Sequence, residues 1–196
     1  MEGLNILSSV MLIGVYIIYI RQAHNEDSTP NPATWTIWFG VSIMNAVSYF
    51  SVVHQNGWKM AYVATATVLM CITFLFSLFR GKFTKLKLEE IVALVLVAAV
   101  GIFWKITPEV SATHANILLQ GVFIISFVPT ARRILDGSGK EKYPPWALAT
   151  AAYMVAIISL MAGGETNWIS YLYPIINGVG GNGVIAILSV IKKPSV

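Results

Sequence analysis

Seven apolar runs occupy most of this 196-residue chain. A transmembrane helix needs about 20 mostly apolar residues, and without water at that depth a spanning segment has to be a helix or part of a closed barrel. Continuous runs, rather than alternating ones, favour helices. The runs are 4–20, 33–53, 58–79, 88–104, 115–134, 146–161 and 168–191. We therefore predict an all-α integral membrane protein with seven transmembrane helices.

The composition agrees with a chain whose main partner is the lipid bilayer. Only 11% of the residues are charged and 56% are hydrophobic, whereas a soluble domain carries about 25% charged residues. The net charge of +4 does not point to nucleic acid, because the basic residues lie in short loops. The N-terminus lacks a basic region and a cleavage site, so we expect no removable signal peptide. The single cysteine, Cys71, excludes an internal disulfide.

The basic residues are distributed unevenly between the two ends of the predicted helices. Lys and Arg favour the cytoplasmic side of a membrane. Eleven of them fall at one end: Arg21, Arg80, Lys82, Lys85, Lys87, Arg132, Arg133, Lys140, Lys142, Lys192 and Lys193. Only Lys59 and Lys105 fall at the other end. This asymmetry predicts a multi-pass protein with its N-terminus outside and its C-terminus in the cytoplasm.

The first three runs align with the last three without a gap when 111 is added to each residue number. Ten identities result: Asn5–Asn116, Ile6–Ile117, Leu7–Leu118, Ile13–Ile124, Arg21–Arg132, Trp35–Trp146, Ser48–Ser159, Asn56–Asn167, Tyr62–Tyr173 and Val68–Val179. The shared offset across three helices and two loops favours a duplication.

The fourth run has no counterpart, and its position explains how two repeats can have the same orientation. Three spans reverse the direction of the chain across the bilayer, so two three-span units are parallel only when an odd helix separates them. Parallel repeats of this kind occur in transporters. The predicted arrangement is therefore 3+1+3, with a first triple-helix repeat over 1–82, a linker helix over 83–111 and a second triple-helix repeat over 112–196.

Prolines near the inner ends of the runs suggest a family. The segment Phe127-Val128-Pro129-Thr130 is similar to the proline motif of the SWEET and PQ-loop superfamily of small transporters, and Pro174 with Asn177 and Gly178 resembles its seventh-helix sugar-binding region. The resemblance covers the whole chain. It implies a uniporter that works by alternating access, with helices that rock at four prolines: Pro129, Pro32, Pro145 and Pro174.

The chain departs from the family pattern at several positions. Thr130 stands where the PQ form has Gln, and Ile18 occupies the first-repeat position that matches Pro129. Asn177 follows its proline by three residues rather than directly, and Ala66 stands opposite it in the first repeat.

The middle of the predicted spans holds no charged residue, which argues against a pump or a proton-driven symporter and disfavours a charged solute. The groups that remain are amides and phenol rings, which suit a small neutral hydrophilic solute such as a sugar. The candidate substrate-binding residues are Asn177, Asn45, Gln120, Asn182, Tyr62 and Tyr173.

A structural role competes with each of these assignments. Asn and Gln often join transmembrane helices by packing and hydrogen bonding. Glycines such as Gly180, Gly181 and Gly183 favour close helix packing over hinge motion. We interpret Trp35, Trp38 and Trp146 as anchors at the membrane interface, a common location for Trp rings.

Other functions stay open. The PnuC transporters of nicotinamide riboside share a similar plan, so a vitamin or nucleoside is the alternative solute. A seven-helix receptor or assembly protein without transport is the other alternative. The sequence has no catalytic motif, and its three histidines (His24, His54, His114) are not clustered as metal ligands. We predict neither an enzyme nor a bound metal or cofactor. Formation of a homo-oligomer is left open.

Overall fold

The computed structural model describes residues 2–54, 56–81, 87–107 and 112–192. Over these ranges all regular structure is helical, in agreement with the prediction. Seven helices, numbered here in chain order, coincide with the seven apolar runs: α1 (Glu2–His24), α2 (Pro32–Val52), α3 (Gly57–Arg80), α4 (Leu88–Ile106), α5 (Ala112–Leu135), α6 (Tyr143–Ala162) and α7 (Ile169–Ile191).

Five of these seven described helices, α1, α3, α5, α6 and α7, are long and apolar enough to cross a membrane. The other two have comparable lengths of 21 and 19 residues. However, α2 includes polar residues such as Asn45, and α4 carries Glu89, Glu90 and Lys105. The general prediction of a helical membrane protein is confirmed. Membrane crossing by α2 and α4 stays a prediction.

Two asparagines start helices in the first half of the chain. Asn31 accepts a hydrogen bond from the backbone N–H of Ala33, and Pro32 occupies the first position of α2. Asn56 accepts from the N–H groups of Trp58 and Lys59 at the start of α3. Such caps satisfy donors that the first helical turn leaves unpaired.

The helices pack in a regular pattern. Helix α3 packs against both α1 and α2, and α7 packs against both α5 and α6. The two groups meet through α1 on α6 and through α2 on α5. Helix α4 contacts α5 and α2 from the side, and most of its side chains are exposed.

The two ends of the bundle differ in charge. We call the end where α1, α3 and α5 finish the basic end: among the described residues it carries Arg21, Arg80, Lys87, Arg132, Arg133, Lys140, Lys142 and Lys192. The opposite end carries Lys59 and Lys105. The remaining basic residues of the predicted asymmetry, Lys82, Lys85 and Lys193, lie outside the described residues, as do the boundaries predicted at 82–83 and 111.

Helix α7 contains a stretch of π-helix, from Pro174 to Asn182, between α-helical parts at Ile169–Tyr173 and Gly183–Ile191. Helices with this wider turn are rare and occur often at functional sites. A Cβ atom on Gly178 would lie 2.2 Å from the Tyr153 ring, and one on Gly181 would lie 2.1 Å from the Phe127 ring. These two glycines therefore let α7 approach its neighbours closely.

Candidate functional site

A cavity inside the bundle lies toward the basic end. Residues from all described helices except α4 line it: Leu12, Val15, Tyr16, Tyr19, Trp35, Trp38, Met70, Phe127, Pro145, Trp146, Ala149, Tyr153, Asn177 and Asn182. Its free volume is about 40 Å³, room for a few water molecules. Ligand pockets are usually larger, roughly 300–1,000 Å³. A solute larger than water therefore requires the surrounding side chains or helices to move apart.

Four of the aromatic side chains that line this cavity contact one another in a closed ring. The centroid distances are 5.1 Å from Tyr19 to Trp35, 4.9 Å from Trp35 to Trp38, 5.7 Å from Trp38 to Trp146 and 5.9 Å from Trp146 back to Tyr19. The interplanar angles lie between 57° and 87°, so neighbouring rings are steeply inclined to one another. We call these four residues the four-ring cage.

The polar edges of the cage have partners within the protein. The indole Nε1 of Trp35 donates to the Tyr19 hydroxyl at 3.3 Å, and that of Trp38 donates to Ser126 Oγ at 2.8 Å. Trp146 Nε1 donates to Glu141 Oε2 at 3.2 Å. The cage therefore has little hydrogen-bonding capacity left along its edges, and its main contribution to the cavity is aromatic surface.

Glu141 lies just before α6, at the basic end of the cavity. Although the residue as a whole is partly exposed, its carboxyl is surrounded by protein atoms, and this burial raises the pKa of Glu141 to about 8. The hydrogen bond from Trp146 and the charge of Arg133 act in the opposite direction but are weaker. Near neutral pH Glu141 is therefore largely in its neutral form.

Two of the predicted substrate-binding residues, Asn177 and Asn182, line the cavity. Asn177 Nδ2 donates to the Tyr153 hydroxyl at 3.3 Å, and Asn182 Nδ2 donates to the Asn177 backbone carbonyl at 2.7 Å. The side-chain oxygens of both asparagines accept no hydrogen bond from any described residue, and neither is fully enclosed. They can accept hydrogen bonds from a molecule in the cavity.

The predicted tyrosines, Tyr62 and Tyr173, lie above the cavity on the side away from the basic end. They are fully buried, and neither lines the cavity. The Tyr49 and Tyr62 hydroxyls are 2.6 Å apart, and those of Tyr153 and Tyr173 are 2.9 Å apart. Tyr49 also donates to the Ser170 carbonyl at 2.9 Å. This tyrosine cluster separates the cavity from the opposite end.

An ion pair between Lys59 and Glu165 reinforces the closure at the opposite end. It joins the start of α3 to the loop between α6 and α7, where Asn167 Nδ2 also donates to the Val52 carbonyl at 3.4 Å. Desolvation acts to raise the pKa of Glu165, but the Lys59 hydrogen bond, the Asn167 N–H and nearby positive charge outweigh it and hold the pKa below its usual value.

The other two predicted substrate-binding residues, Asn45 and Gln120, do not line the cavity. Together with Asn116 and Ser48 they form a buried polar cluster between α2 and α5. Asn45 Oδ1 accepts from Asn116 Nδ2 and from Gln120 Nε2, both at 3.1 Å. In this structure the two residues join helices, the competing role that the sequence left open.

The four predicted hinge prolines occupy different positions. Pro32 starts α2, and Pro145 lies in the first turn of α6 and lines the cavity. Pro129 lies inside α5, which continues through it to Leu135. Pro174 begins the π-helical stretch of α7. Two of the four, Pro145 and Pro174, therefore lie close to the candidate site, and hinge motion at any of them stays a prediction.

The interpretation of Trp35, Trp38 and Trp146 as interface anchors was wrong. Their side chains are only 5%, 4% and 6% exposed, and all three line the cavity. The sequence offered one signal in their favour, since Trp35 and Trp146 are one of the ten identities in the predicted 111-residue repeat. Glu141 and Tyr19 were also missed, Glu141 because it lies in a loop.

Comparisons with known protein families, with characterised proteins and with solved structures found no match to this chain. The function therefore has to be inferred from the cavity and the residues around it.

Proposed function

We propose that this protein is a membrane transporter, a facilitator that carries a small hydrophilic solute by alternating access. The observation that carries this proposal is the cavity itself. It lies within a bundle of apolar helices, and aromatic side chains and two asparagines from several helices converge on it. A receptor site open to one side would need no closure at both ends, whereas a carrier has to close each end in turn.

The repeat architecture is part of the same proposal. In a 3+1+3 arrangement with two parallel triple-helix bundles, α1–α3 would form the first repeat and α5–α7 the second, with α4 as the linker. The packing supports this, because α1 on α6 has its repeat counterpart in α5 on α2. The offset of 111 also relates three pairs of residues that all line the cavity: Tyr16–Phe127, Trp35–Trp146 and Trp38–Ala149.

The lining favours a solute with a ring. Aromatic faces stack on the apolar face of a sugar or on a planar base, and the free oxygens of Asn177 and Asn182 accept hydrogen bonds from hydroxyl or amino groups. A sugar is the neutral candidate from the family resemblance. The three tryptophans of the cage specifically favour the alternative, a vitamin or nucleoside with a flat heterocycle of the kind that PnuC transporters carry.

The orientation in the membrane follows from charge. With eight of the described Lys and Arg residues at the basic end, the proposed topology has this end in the cytoplasm and the N-terminus outside. In a Cys71→Ser background, a cysteine at position 2 should then react with an impermeant maleimide on intact cells. A cysteine at position 192 should react only after permeabilisation, and the reverse pattern would contradict this orientation.

The test of the function is uptake into proteoliposomes. A panel of labelled sugars, nucleosides and vitamins is offered to the purified protein, with and without unlabelled solute inside. We expect saturable uptake of one class, accelerated by internal solute, and a large loss in Asn177→Ala. Asn45→Ala, which lies outside the cavity, is the matched control. Specific binding of a panel member without uptake would instead favour the receptor alternative.

A further inference from the structure

The cavity lining is rich in aromatic side chains. Seven of its fourteen residues are aromatic, five are aliphatic or Met, and its free polar atoms include the amide oxygens of Asn177 and Asn182. No Lys, Arg or His side chain is among the residues that line it. Aromatic faces carry partial negative charge, so the aromatic rings and the two amide oxygens attract a positive charge.

The four-ring cage has the composition of a cation site. Neighbouring centroids are between 4.9 and 5.9 Å apart, so the rings contact one another, and an organic cation enters only when they move apart. A cation held between the separated rings would lie within about 6 Å of their centroids, the range over which a cation is attracted to an aromatic face. Trp provides the strongest attraction of this kind, and three of the four rings are indoles. The indole N–H groups point to Tyr19, Ser126 and Glu141, so they do not compete for the occupant.

Glu141 gives the cage an acidic group that is connected to both halves of the bundle. It accepts from Trp146 Nε1 at 3.2 Å, and its carboxyl interacts with the hydroxyl of Tyr19. Tyr19 in turn accepts from Trp35 Nε1. The repeat-equivalent tryptophans Trp35 and Trp146 are thus linked through Tyr19 and Glu141. A change in the charge of the carboxyl therefore alters the hydrogen bonds of both tryptophans.

Other charged groups face Glu141 from the elements packed around it. Arg133 on α5 is the positive charge that acts on the Glu141 carboxyl, and its Nη2 donates to the Thr29 carbonyl at 3.3 Å. In the loops, Lys142 forms an ion pair with Asp27 at 2.8 Å. Tyr19 faces the carboxyl from α1, and Trp146 faces it from α6. No further acidic group acts on Glu141 from the described residues, so a positive charge in the cage has one acidic partner.

We propose that the solute is a small organic cation whose charge occupies the four-ring cage, and that Glu141 releases its proton when this cation binds. This inference rests on the proposed transport function and names its substrate class; it replaces the neutral solute expected from the sequence with a cation, and uncoupled facilitation with exchange of that cation for a proton. One positive charge enters the cage and one proton leaves it, so the net charge of the buried site stays constant. An uncompensated charge at this depth would be costly, and the exchange avoids that cost.

The environment of Glu141 supports such an exchange. Burial keeps Glu141 protonated near neutral pH, and a neighbouring positive charge favours the ionised carboxylate. Binding and deprotonation are therefore linked, and each favours the other to the same extent.

The test is a binding experiment on the purified full-length protein, by calorimetry in two buffers that differ in ionisation enthalpy. The probes are tetramethylammonium, choline and 1-methylpyridinium. The neutral isostere of choline, 3,3-dimethylbutan-1-ol, and glucose serve as comparisons. For at least one of the cations we expect release of about one proton per bound molecule at about pH 7. Its affinity should rise about tenfold per pH unit below about pH 7 and become constant above about pH 8.

The variants Glu141→Gln and Glu26→Gln separate the proposed role from a general charge effect. Glu26 is an exposed carboxylate in the loop between α1 and α2, at the same end of the bundle as Glu141. In Glu141→Gln we expect the proton release and the pH dependence to disappear, with an affinity at least tenfold lower at about pH 8. Glu26→Gln should bind as the wild type does. Thermal unfolding of both variants verifies that they are folded.

Two results would overturn the inference. One is equal binding of cations and neutral isosteres, or no binding of any of the three cations. The other is proton release that persists in Glu141→Gln. Neither depends on transport: uptake of a neutral sugar without cation binding would contradict this inference alone, whereas cation binding without uptake of any solute would contradict the proposed transport alone.

Discussion

Thr29 and Lys140 lie 111 positions apart in the chain and hydrogen-bond to each other at the basic end of the bundle. The Thr29 N–H donates to the Lys140 carbonyl at 2.9 Å, and the Lys140 N–H donates to Thr29 Oγ1 at 3.2 Å. The separation equals the offset between the proposed repeats, so under that proposal two equivalent residues meet here. A pseudo-two-fold axis that relates the repeats would pass close to this pair. The loops that they join lie next to Glu141.

Covalent linkage of this pair should stop transport. In a Cys71→Ser background, Thr29→Cys with Lys140→Cys places two thiols on backbones that are already hydrogen-bonded, close enough for a disulfide or a short bismaleimide. We expect the linked protein to lose uptake of its solute, because the basic end can no longer open. Addition of a reductant to the disulfide form should restore uptake. Undiminished uptake by the linked protein would show that this end does not need to open.

Loss of the ion pair at the opposite end should destabilise the closed state of that end. Lys59→Met leaves Glu165, which has a 5% exposed side chain, without its positive partner. We expect the unfolding free energy to fall by about 3–5 kcal/mol, because a buried charge is left without its partner. The Tyr62 side chain, which lies between this ion pair and the cavity, should also gain access to water. Hydrogen exchange of α3 and α7 measures the opening, and the swapped pair Lys59→Glu with Glu165→Lys should recover much of the protection.

The close contacts of α7 predict a difference between neighbouring glycines. Gly181→Ala would bring a methyl group within 2.1 Å of the Phe127 ring, and Gly178→Ala within 2.2 Å of Tyr153. We expect each to destabilise the protein by about 1–3 kcal/mol through overpacking and to disturb the cavity wall. Gly183→Ala, whose new methyl would lie 3.7 Å from Thr150, is the matched control. Thermal unfolding in detergent compares the three, and equal melting temperatures would contradict the close packing.

The two groups of asparagines should behave differently on substitution. Asn45→Ala removes the shared acceptor of Asn116 and Gln120, so we expect a stability loss of about 0.6–2 kcal/mol with solute affinity retained. Asn177→Ala should lower the solute affinity and leave the stability nearly unchanged, since it removes an acceptor in the cavity wall. Unfolding and solute binding, measured on the same preparations, distinguish a packing role from a binding role. A stability loss without an affinity loss in Asn177→Ala would assign that residue to packing.

Glu141 should make the stability of the protein depend on pH. Its pKa of about 8 in the folded protein lies above the value of about 4.3 expected in the unfolded chain, so the folded state binds the extra proton between these values. The unfolding free energy should therefore fall as the pH rises from about 5 to about 8 and then level off. Melting curves of Glu141→Gln should lack this component. If the stability of the variant and of the wild type changed with pH in the same way, the titrating group would be a residue other than Glu141.

Much of the fold could be predicted from the sequence because length and hydropathy determine which segments become helices. The rotation of each helix about its axis could not. In a membrane, both the lipid-facing and the packed sides of a helix are apolar, so hydrophobic periodicity does not mark the inner face. The tryptophans illustrate the problem. A Trp ring near a helix end fits the membrane interface and a buried cavity equally well, and only the packing of α1, α2 and α6 distinguishes the two.

The candidate site was predictable only where its residues carry a local sequence signal. Asn177 and Asn182 lie near a proline and four glycines, a local pattern that marks an irregular helix, and both line the cavity. Glu141 had no such signal. Its loop looks like an ordinary solvated connection, and the carboxyl becomes buried only because Tyr19, Ser28 and Trp146 come together around it. That contact joins segments more than 100 positions apart.

The paired loops at the basic end also have a kinetic consequence. In the proposed transport cycle, a solute that leaves through this end has to wait until Thr29 and Lys140 separate, and the rate of that separation is a property of the protein. When such a step limits turnover, solutes that differ widely in affinity share one maximal velocity and differ only in the concentration that gives half of it.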